Sequence, residues 1–389
     1  MANEPRISVL HLIHTMAYGG IETVVLNWIR GMDRTRFDVH LACFANPGGT
    51  EQPFVEAAER QGLTVHKLPW GRGKPVLKAA GELVRLARRF RVDIVHSHNC
   101  YADLVSLAAA WRLPVKTITT VYVWCDLDWK RNLIQAINRA ILPFFDRITA
   151  HCEFTRIETV RRGFPEAKIT TLICGFETHP VTLSVQERLG ERRARGVRDD
   201  ELLLVNIARL YPEKAQDALL RIFARIRERH PNTRLWIAGV GPLEAELKAL
   251  CARLGLDRSV EFIGFITDLP RLLALADIQV HPAHIEGVAL AICEGMAAGL
   301  PIVASAVGGL SEVLSYGENG LLVPPGDEAA FVDAVCSVID DPDLGRRLGA
   351  AARRFIQHDY SLKTAVAAVE QTYRELLGGW AVPGGAGAR

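Results

Sequence analysis

The sequence predicts an α/β protein with two doubly wound domains that face a cleft, and three observations support this fold class. Short runs rich in Val, Ile and Leu alternate with segments of helical period, which is typical of parallel strands covered by helices on both faces. About thirteen such runs occur, and a single sheet of that size would be unusual. The chain has 389 residues, which is long enough for two or three domains.

The strand candidates fall into two groups. Each run is short and bounded by polar or glycine-containing segments, as expected of buried parallel strands. In the first half they are RISVLHLIH, FDVHLACF, LTVHKL, VDIVHSH, VKTITTVY, RITAHC and KITTLI. The second half restarts with ELLLVNIARL and continues with TRLWIAGVG, VEFIGFI, DIQVHPA, PIVASAV and GLLVPPG. We therefore expect two sheets of about six strands each.

The domain boundary is predicted within residues 174–200, where Gly, Pro and a run of charges occur without a clear apolar period. The alternative is a long surface loop with a helix inside one domain. We place an N-terminal domain at residues 1–178 and a C-terminal domain at 179–360. Residues 361–378 are predicted to form a closing helix that packs back towards the N-terminal domain, and the Gly-rich residues 379–389 a flexible tail.

Composition excludes several classes of protein. The chain is 49% hydrophobic and carries 46 basic against 44 acidic residues, which is ordinary for a globular protein and gives no argument for nucleic-acid binding. Its eight cysteines form no CxxC pair, so neither a structural zinc site nor a redox pair is indicated. No run reaches the ~18 apolar residues of a membrane span, and no signal peptide is evident. We expect a cytoplasmic protein.

Two glycines, Gly19 and Gly20, follow the first strand and open an apolar-periodic segment. They would let the backbone approach a ligand, with helix amides available to an anion. The pattern is not GxGxxG, which argues against a nicotinamide dinucleotide, and a plain tight turn is the alternative.

A basic pair follows the first strand of the second half. Arg209 ends the strand and Lys214 stands five residues later, where a helix starts. A planar fork of donors and a mobile point charge together suit a diphosphate. The alternative is an ordinary strand-end Arg with a solvated Lys.

The most informative segment is HPAHIEGVALAICEGMAAGLPIVASAVGGLSEVL. Glu286 precedes a helix predicted from about Ala289 to Ala298, which carries Glu294. The next buried strand ends in Gly308 and Gly309. We therefore expect a helix N-terminus and a glycine turn side by side, which suits a phosphate.

Carboxylates accept hydrogen bonds from the paired hydroxyls of sugars and ribose. Glu294 stands among apolar residues, where an unpaired charge is costly, and this argues against two ordinary surface glutamates. A glycosidase pair is the other chemistry that two carboxylates suggest. It would leave the basic pair and the anion-binding helix without a role.

Together these motifs resemble the E-x7-E signature of glycosyltransferase family four, a retaining family with the GT-B fold of two Rossmann-like domains. The resemblance covers residues 6–375 and is specific for fold and reaction type, not for the sugar. Its further matches are GGIE after the first strand, VDIVHSH, the spacing of Arg209 and Lys214, GFITDLPRLLALADIQVHPA and NGLLVPPGD.

The resemblance implies a nucleoside diphosphate sugar as donor, held mainly by the C-terminal domain, and an acceptor on the N-terminal domain. Arg209 and Lys214 would neutralise the diphosphate, which Gly20 would approach from the other domain. Glu294 would bind the ribose and Glu286 the transferred sugar. The remaining donor contacts would come from backbone near Phe265 and Ile266 for the base, and from the amides of Gly287, Val288, Ala289 and Leu290 for phosphate and sugar.

We expect no metal and no cofactor apart from this co-substrate. Arg, Lys and amide dipoles can stabilise the charge that develops on the departing phosphate. The only DxD candidate is DLDW at residues 126–129, where Asp126 and Asp128 are interpreted as acceptor-side or helix-capping residues. Retention in the family is ascribed to front-face attack, with the departing phosphate accepting the proton of the acceptor.

The chain departs from the family at one position. Many relatives carry a His after the fifth strand, where TITTVYVW places Tyr122. Either the protein works without that imidazole, or Tyr122 hydrogen-bonds the sugar instead. His98 in HSHN matches a family His near the acceptor, and it is equally well explained as a core residue. We expect His96 in the core, and a zinc site built on this spacing lacks a fourth ligand.

Residues 74–91 combine apolar residues at helical period with a basic face. We expect a helix that covers the sheet and exposes this face to solvent, and contact with an anionic membrane is the alternative. The apolar positions are 76, 77, 80, 83, 84, 87 and 90, and the basic residues are Lys74, Lys78, Arg85, Arg88, Arg89 and Arg91.

The sequence therefore predicts a retaining, hexosyltransferase-type glycosyltransferase. Glu286, His98 and Tyr122 are its candidate catalytic residues. The acceptor would be a glycan, a lipid-linked molecule or a small molecule, and the family alone suggests cell-surface polysaccharide or lipopolysaccharide assembly. The alternative is a non-catalytic relative that binds sugar nucleotides on the same fold.

Overall fold

The computed structural model describes residues 6–15, 19–124, 129–177 and 180–378. The chain divides into two compact units. The first comprises Met1–Gly175 and Leu362–Arg389, and the second comprises Phe176–Ser361. Each unit is built on one parallel sheet, and the described residues give these sheets seven and six strands. The predicted α/β class with two doubly wound domains is confirmed.

In the first unit the strand order is β3-β2-β1-β4-β5-β6-β7. The order reverses between β1 and β4, where Ile13 and His98 are paired at the carboxyl ends. Doubly wound sheets bind ligands outside the strand ends at such a reversal. The strands are β1 (Ile7–Ile13), β2 (Phe37–Ala45), β3 (Val65–Pro69), β4 (Ile94–His98), β5 (Lys116–Val121), β6 (Arg147–Ala150) and β7 (Ile169–Thr171).

Helices connect these strands, as parallel neighbours require. They are α1 (Gly20–Gly31), α2 (Gln52–Arg60), α3 (Val76–Arg89), α4 (Cys100–Ala110), α5 (Trp129–Ile141) and α6 (Glu153–Arg161). The predicted basic residues on α3 and directly beside it are all exposed. The predicted apolar face is wrong at Leu77, which is 73% exposed, because the residues that α3 packs inward start at Ala79.

The second unit has the strand order β10-β9-β8-β11-β12-β13, with its reversal between β8 and β11. The strands are β8 (Leu202–Ile207), β9 (Thr233–Ala238), β10 (Val260–Gly264), β11 (Ile278–His281), β12 (Ile302–Ser305) and β13 (Leu321–Val323). The helices are α7 (Val185–Ala194), α8 (Gln216–Arg229), α9 (Glu244–Arg253), α10 (Leu269–Leu275), α11 (Leu290–Ala298), α12 (Leu310–Val313), α13 (Glu328–Asp340) and α14 (Pro342–His358).

Helix α7 lies in the segment where the sequence shows no clear apolar period. Its start is stabilised by a capping box, in which Ser184 Oγ accepts from Glu187 N at 3.2 Å and the Glu187 carboxylate accepts from Ser184 N at 2.8 Å. Arg188 and Arg192 then reach Asp277, just before β11, at 2.6 and 2.9 Å. Polar contacts therefore hold this helix in place, and its sequence has no apolar period that would predict it.

The last helix, α15 (Leu362–Leu376), belongs to the first unit, although the whole second unit, Phe176–Ser361, separates it in sequence from the rest of that unit. It packs on α1 so closely that a Cβ on Gly31 would lie 2.6 Å from Val366 Cγ2. The Glu370 carboxylate also accepts a hydrogen bond from Asp33 N at 2.8 Å. The first unit is therefore completed by residues from both ends of the chain.

Seven cysteines are described; all are buried and none of them is in a disulfide, as expected of small hydrophobic residues in apolar runs. They are Cys43, Cys100, Cys152, Cys174, Cys251, Cys293 and Cys336. Among the helices of the described ranges, none has the length and apolar character that crossing a membrane requires.

Candidate functional site

In the second unit, polar side chains gather where β8 and β11 end, beside the reversal of strand order. Arg209 follows β8 by two residues, and Lys214 ends the short turn that leads into α8. Glu286 lies in the loop between β11 and α11. The two loops are tied together, because His284 N donates to the carbonyl oxygen of Glu213 at 2.9 Å. The fold therefore places residues from distant parts of the sequence at one edge of the sheet.

Lys214 and Glu286 form a partly buried ion pair between Nζ and Oε2, with side chains only 12% and 11% exposed. His281 Nε2 lies 3.7 Å from the other carboxylate oxygen. Burial alone would raise the pKa of Glu286, but the neighbouring His281 and the Lys214 charge outweigh it and lower the pKa to about 2. Glu286 is therefore ionised at neutral pH.

The pKa of Glu294, eight residues further on, is shifted in the opposite direction. It lies half-buried on α11, and burial raises its pKa to about 7. Within the described ranges, no side chain or backbone group forms a hydrogen bond or ion pair with its carboxylate. A carboxylate held among apolar groups without donors is costly, and a pair of ligand hydroxyls would supply those donors.

A glycine turn packs on the loop that leads into α11. Ala289 caps the helix without a side-chain hydrogen bond, and the first amides of a helix have no acceptor within it. Gly308 has φ +53°, and a Cβ on it would lie 1.8 Å from the carbonyl oxygen of Glu286. The turn after β12 therefore packs directly on the backbone that presents Glu286.

The other predicted donor residues of this unit lie at the same edge. The Arg209 side chain is 65% exposed and its guanidinium is 3.9 Å from Glu213 Oε1. That guanidinium also lies 5.0 Å from the centroid of the Tyr211 ring. Phe265, which is 54% exposed, and Ile266 follow β10. No observation assigns these residues a ligand, and their roles stay predictions.

Sequence reasoning missed the glycines that shape the strand end under Arg209. A Cβ on Gly239 would lie 1.9 Å from the oxygen of Ala208, and a Cβ on Gly241 would lie 2.3 Å from that of Leu210. Only glycine allows the loop after β9 to approach this backbone. The signal was present as GVG directly after a strand. His281, beside Glu286, carried no local signal.

In the first unit, Gly19 and Gly20 lie where β1 ends and α1 begins. Gly19 caps α1 without a side-chain hydrogen bond, and its carbonyl accepts from Thr23 Oγ1 at 2.9 Å. Glu22 is buried beside it, with Oε2 3.5 Å from the position of a Cβ on Gly19. The GGIE motif indicates this loop, but it does not by itself single out Glu22.

His98 lies in the core and not at the surface. It is fully buried, with Nδ1 2.9 Å from the hydroxyl of Tyr122 and Nε2 3.1 Å from His11 Nδ1. Of the two alternatives left open for His98, this burial agrees with the core position, behind the half-buried Tyr122. Burial, with smaller contributions from Cys174 and Glu22, raises the pKa of Tyr122 well above its ordinary value.

His11, His96 and His98 bring their ring nitrogens within 4.8 Å of one another. The HSH spacing in the sequence indicates His96 and His98, and the third histidine, His11, comes from β1. His96 contacts Tyr373 Oη and Thr120 Oγ1 at 2.7 Å each, and His11 Nε2 contacts Tyr373 Oη at 3.2 Å. Every ring nitrogen of the cluster therefore has a protein partner, so the cluster does not need a metal ion to satisfy it. Asp126 and Asp128 lie outside the described residues.

Comparisons with known proteins identify the family. Residues 188–355 match the model for Glycosyl transferases group 1, and residues 19–175 match the Glycosyl transferase 4-like domain. EpsD of Bacillus subtilis strain 168 is 30% identical over 338 residues, which cover 84% of this chain and 86% of EpsD. The chain therefore belongs to the family-four type of glycosyltransferases, and its role is glycosyl transfer.

One further relative agrees with this family, and a solved structure agrees with the fold. A GDP-mannose-dependent alpha-(1-6)-phosphatidylinositol monomannoside mannosyltransferase of Mycolicibacterium smegmatis is 27% identical over 361 residues, covering 89% of this chain and 92% of the relative. The crystal structure of Anabaena HepE in complex with UDP and glucose superposes with a TM-score of 0.83 and 20% identity, covering 94% and 99% of the two chains. The structural match confirms the GT-B fold with its Rossmann-like domains.

Proposed function

We propose that the protein is a retaining glycosyltransferase that moves a sugar from a nucleoside diphosphate sugar to a glycan, a lipid-linked molecule or a small molecule. The observation that carries this proposal is the contrast between two carboxylates at one sheet edge. Glu286 is ionised and paired with Lys214, whereas Glu294 finds no donor among the described residues. The Glu286 carboxylate is thus held as an anion, and the Glu294 carboxylate can accept hydrogen bonds from ligand hydroxyls.

Nucleoside diphosphates are supported as the leaving group by two relatives. HepE is described in complex with UDP, and the Mycolicibacterium relative is named for its dependence on GDP-mannose. In this chain the exposed guanidinium of Arg209, the ammonium of Lys214 and the first amides of α11 supply positive charge. Glu294 would accept hydrogen bonds from the ribose, and Glu286 from the transferred sugar.

The proposed reaction breaks the bond between the anomeric carbon and the β-phosphate oxygen and forms a bond from that carbon to an acceptor oxygen. The acceptor proton passes to the departing phosphate oxygen, so the reaction needs no separate base. Charge that develops on the phosphate is stabilised by Arg209, Lys214 and the helix amides, which are preorganised. We propose that this machinery works without a metal ion.

We place the protein in the cytoplasm, in cell-surface polysaccharide or lipopolysaccharide assembly. The basic face of α3 is exposed along its length, which also suits peripheral contact with an anionic membrane. Sedimentation with liposomes that contain anionic lipid tests this contact. Binding that disappears after charge reversal at Arg85 and Arg88 supports membrane contact. A lack of binding even at low salt contradicts it.

A thermal-shift screen against UDP, GDP, ADP, CMP and their common sugar conjugates tests the donor class. A ligand that binds only the native state raises the melting temperature by mass action. We expect a shift with one nucleoside diphosphate, weakened by Arg209→Ala. Arg229→Ala is the matched control, because Arg229 lies at the opposite end of α8 and pairs with Asp333.

Turnover separates the proposal from its alternative. Release of the nucleoside diphosphate in the presence of acceptor, with retained anomeric configuration by NMR, supports a transferase. Binding of a sugar nucleotide without any turnover supports the non-catalytic relative. No shift with any of these ligands contradicts the donor site itself.

A further inference from the structure

A continuous chain of hydrogen bonds runs from Tyr122 into the core of the first unit. Its members come from β5, β4, β1, α15 and β6, and we call it the hydroxyl–imidazole chain. It begins with Tyr122 Oη, which lies 2.9 Å from His98 Nδ1, and His98 Nε2 lies 3.1 Å from His11 Nδ1.

From there the chain passes through Tyr373, whose Oη lies 3.2 Å from His11 Nε2 and 2.7 Å from His96 Nδ1. His96 Nε2 lies 2.7 Å from Thr120 Oγ1, which lies 2.8 Å from Thr149 Oγ1. The chain ends where Thr149 Oγ1 lies 3.1 Å from the carbonyl oxygen of Thr119.

All members except Tyr122 are buried, and the three imidazoles are neutral. Burial lowers the pKa of His11 to about 3 and holds the pKa values of His96 and His98 well below their ordinary value. A neutral imidazole has one N–H donor and one acceptor nitrogen. Each ring therefore passes a hydrogen bond on in a single direction.

The far end of the chain fixes that direction. A carbonyl can only accept, so Thr149 donates its single proton to Thr119 and must accept from Thr120. Thr120 then accepts from His96 Nε2–H. The remaining acceptor nitrogen of His96, Nδ1, receives the proton of Tyr373.

The same reasoning continues outward to the half-buried Tyr122. The oxygen of Tyr373 accepts from His11 Nε2–H, and His11 Nδ1 accepts from His98 Nε2–H. His98 Nδ1 is left as an acceptor for the proton of Tyr122. The Thr120 hydroxyl also lies next to that of Tyr122, and we assign its proton to Thr149. With that assignment one polarity satisfies the whole chain, and it commits the Tyr122 proton to the interior.

We propose that the hydroxyl–imidazole chain makes Tyr122 a hydrogen-bond acceptor towards ligand, so that Tyr122 recognises a hydroxyl group and disfavours a phosphate or carbonyl oxygen. His11 and Tyr373 are then positioning residues that act through His98. This inference rests on the proposed function for the source of the hydroxyl, which is either the transferred sugar or the acceptor. The chain does not remove a proton from the ligand, because an imidazolium would be buried without a counter-ion.

Long-range ¹H–¹⁵N correlation spectra of the full chain, labelled in histidine, test the polarity directly. They distinguish the two neutral tautomers from the cation, and single His→Gln variants assign the signals. We expect the Nε2–H tautomer at His11, His96 and His98 at neutral pH. An Nδ1–H tautomer or a cation at His98 would overturn the proposal.

Tyr373→Phe tests the coupling. It removes the acceptor for His11 Nε2–H, so we expect His11 and His98 to shift towards the Nδ1–H tautomer. Tyr122 would then receive a proton from His98 and present its own to the ligand. Tyr360→Phe, at another buried tyrosine in the second unit, is the matched control and should leave the tautomers unchanged. Unchanged tautomers in Tyr373→Phe contradict the coupling.

Kinetics identify the source of the hydroxyl. Tyr373→Phe should lower kcat/KM about 3- to 10-fold, the size of one hydrogen bond. If only kcat/KM for the sugar nucleotide changes, Tyr122 contacts the transferred sugar. If only kcat/KM for the acceptor changes, Tyr122 contacts the acceptor. Unchanged kinetics despite a tautomer shift would contradict the ligand role.

A second variant covers a folding defect in Tyr373→Phe. Thr149→Val keeps the side-chain shape but removes the carbonyl anchor, so we expect mixed tautomers at His96. A single unchanged tautomer there would contradict the assignment of polarity. Failure of the proposed function looks different, because spectra of the expected polarity would then accompany a protein that binds no sugar nucleotide.

Discussion

Two glutamates eight residues apart in one loop and helix acquire opposite protonation behaviour from their surroundings. Glu286 has a pKa of about 2 because a cation and an imidazole lie beside it, and these outweigh its burial. Glu294 has a pKa of about 7 because burial acts on it alone. Environments that push the pKa values of neighbouring acids apart commonly mark functional sites.

Glu286→Gln should abolish most transfer but retain nucleoside diphosphate binding. The change removes the anion next to the transferred sugar and leaves Lys214 buried without its partner. We expect kcat/KM to fall about 100-fold or more, measured by nucleotide release. Glu261→Gln, at an exposed carboxylate on β10, is the control. Unchanged turnover in Glu286→Gln would eliminate the assigned role.

Glu294→Gln should stabilise the unliganded protein at high pH and weaken its binding of nucleotide. The folded-state pKa of about 7 lies above the ordinary value of 4.5, so folding favours the protonated acid. That contribution is complete below about pH 4.5 and is lost as the pH rises through 7.

The amide avoids this loss, and we expect a gain of about 1–2 kcal/mol at pH 8 after allowing for partial solvent screening. Melting curves of the variant and the wild type should coincide near pH 4 and separate by a few degrees at pH 8. A separation that is constant with pH would contradict the raised pKa.

At the scale of single elements, the glycine turn after β12 positions the loop of Glu286. Gly308→Ala places a Cβ against the Glu286 carbonyl oxygen at a positive φ, so the loop must move. We expect a loss of stability of about 1–3 kcal/mol together with a loss of transfer, measured by melting and by nucleotide release.

Gly317→Ala is the matched control for this strain. Gly317 also has a positive φ, at +75°, but nothing lies within 4 Å of its Cβ position. It should cost stability without loss of transfer. Equal losses of transfer in the two variants would show that backbone strain, and not displacement of Glu286, is responsible.

Elements with strong periodicity could be predicted from sequence, and those held by polar contacts could not. The strand runs emerged because both faces of a parallel sheet are buried, which makes each strand continuously apolar. Helix α7 did not, because its contacts are a capping box and the ion pairs of Arg188 and Arg192 with Asp277. The capping box was nevertheless legible as Ser184 followed by Glu187.

The same division applies to the candidate site. Residues that stand together in sequence, such as Glu286 and Glu294, could be nominated from their spacing. His11 and Tyr373 could not, since each joins its cluster only through strand pairing or helix packing. The pairing of Lys214 with Glu286 also depends on the reversal between β8 and β11, which spacing alone does not reveal.

At the scale of the whole molecule, the chain leaves the first unit at residue 175 and returns to it at residue 362. The stability of that unit therefore depends on the last helix of the described chain. Val366→Ala combined with Val369→Ala should weaken the packing of α15 by about 2–4 kcal/mol. Hydrogen exchange should accelerate in β1 and α1 and stay unchanged in β8.

The corresponding double substitution in the second unit is Val332→Ala with Val335→Ala, which truncates two buried valines of α13. It should accelerate exchange in β8 and not in β1. Acceleration in both units by either pair of substitutions would contradict independent cores and indicate a single cooperative unit.

The reactivity of the buried cysteine thiols reports local unfolding in each unit. Cys43, Cys100, Cys152 and Cys174 belong to the first unit, and Cys251, Cys293 and Cys336 to the second. Only the thiolate reacts with alkylating reagents, and burial raises the pKa of Cys43 and Cys174 to about 12 and contributes most to a pKa of about 11 at Cys251. Labelling of these thiols must therefore wait for local unfolding. The order in which a mass spectrometer finds them modified records which half of the protein loosens first, with no engineered probe.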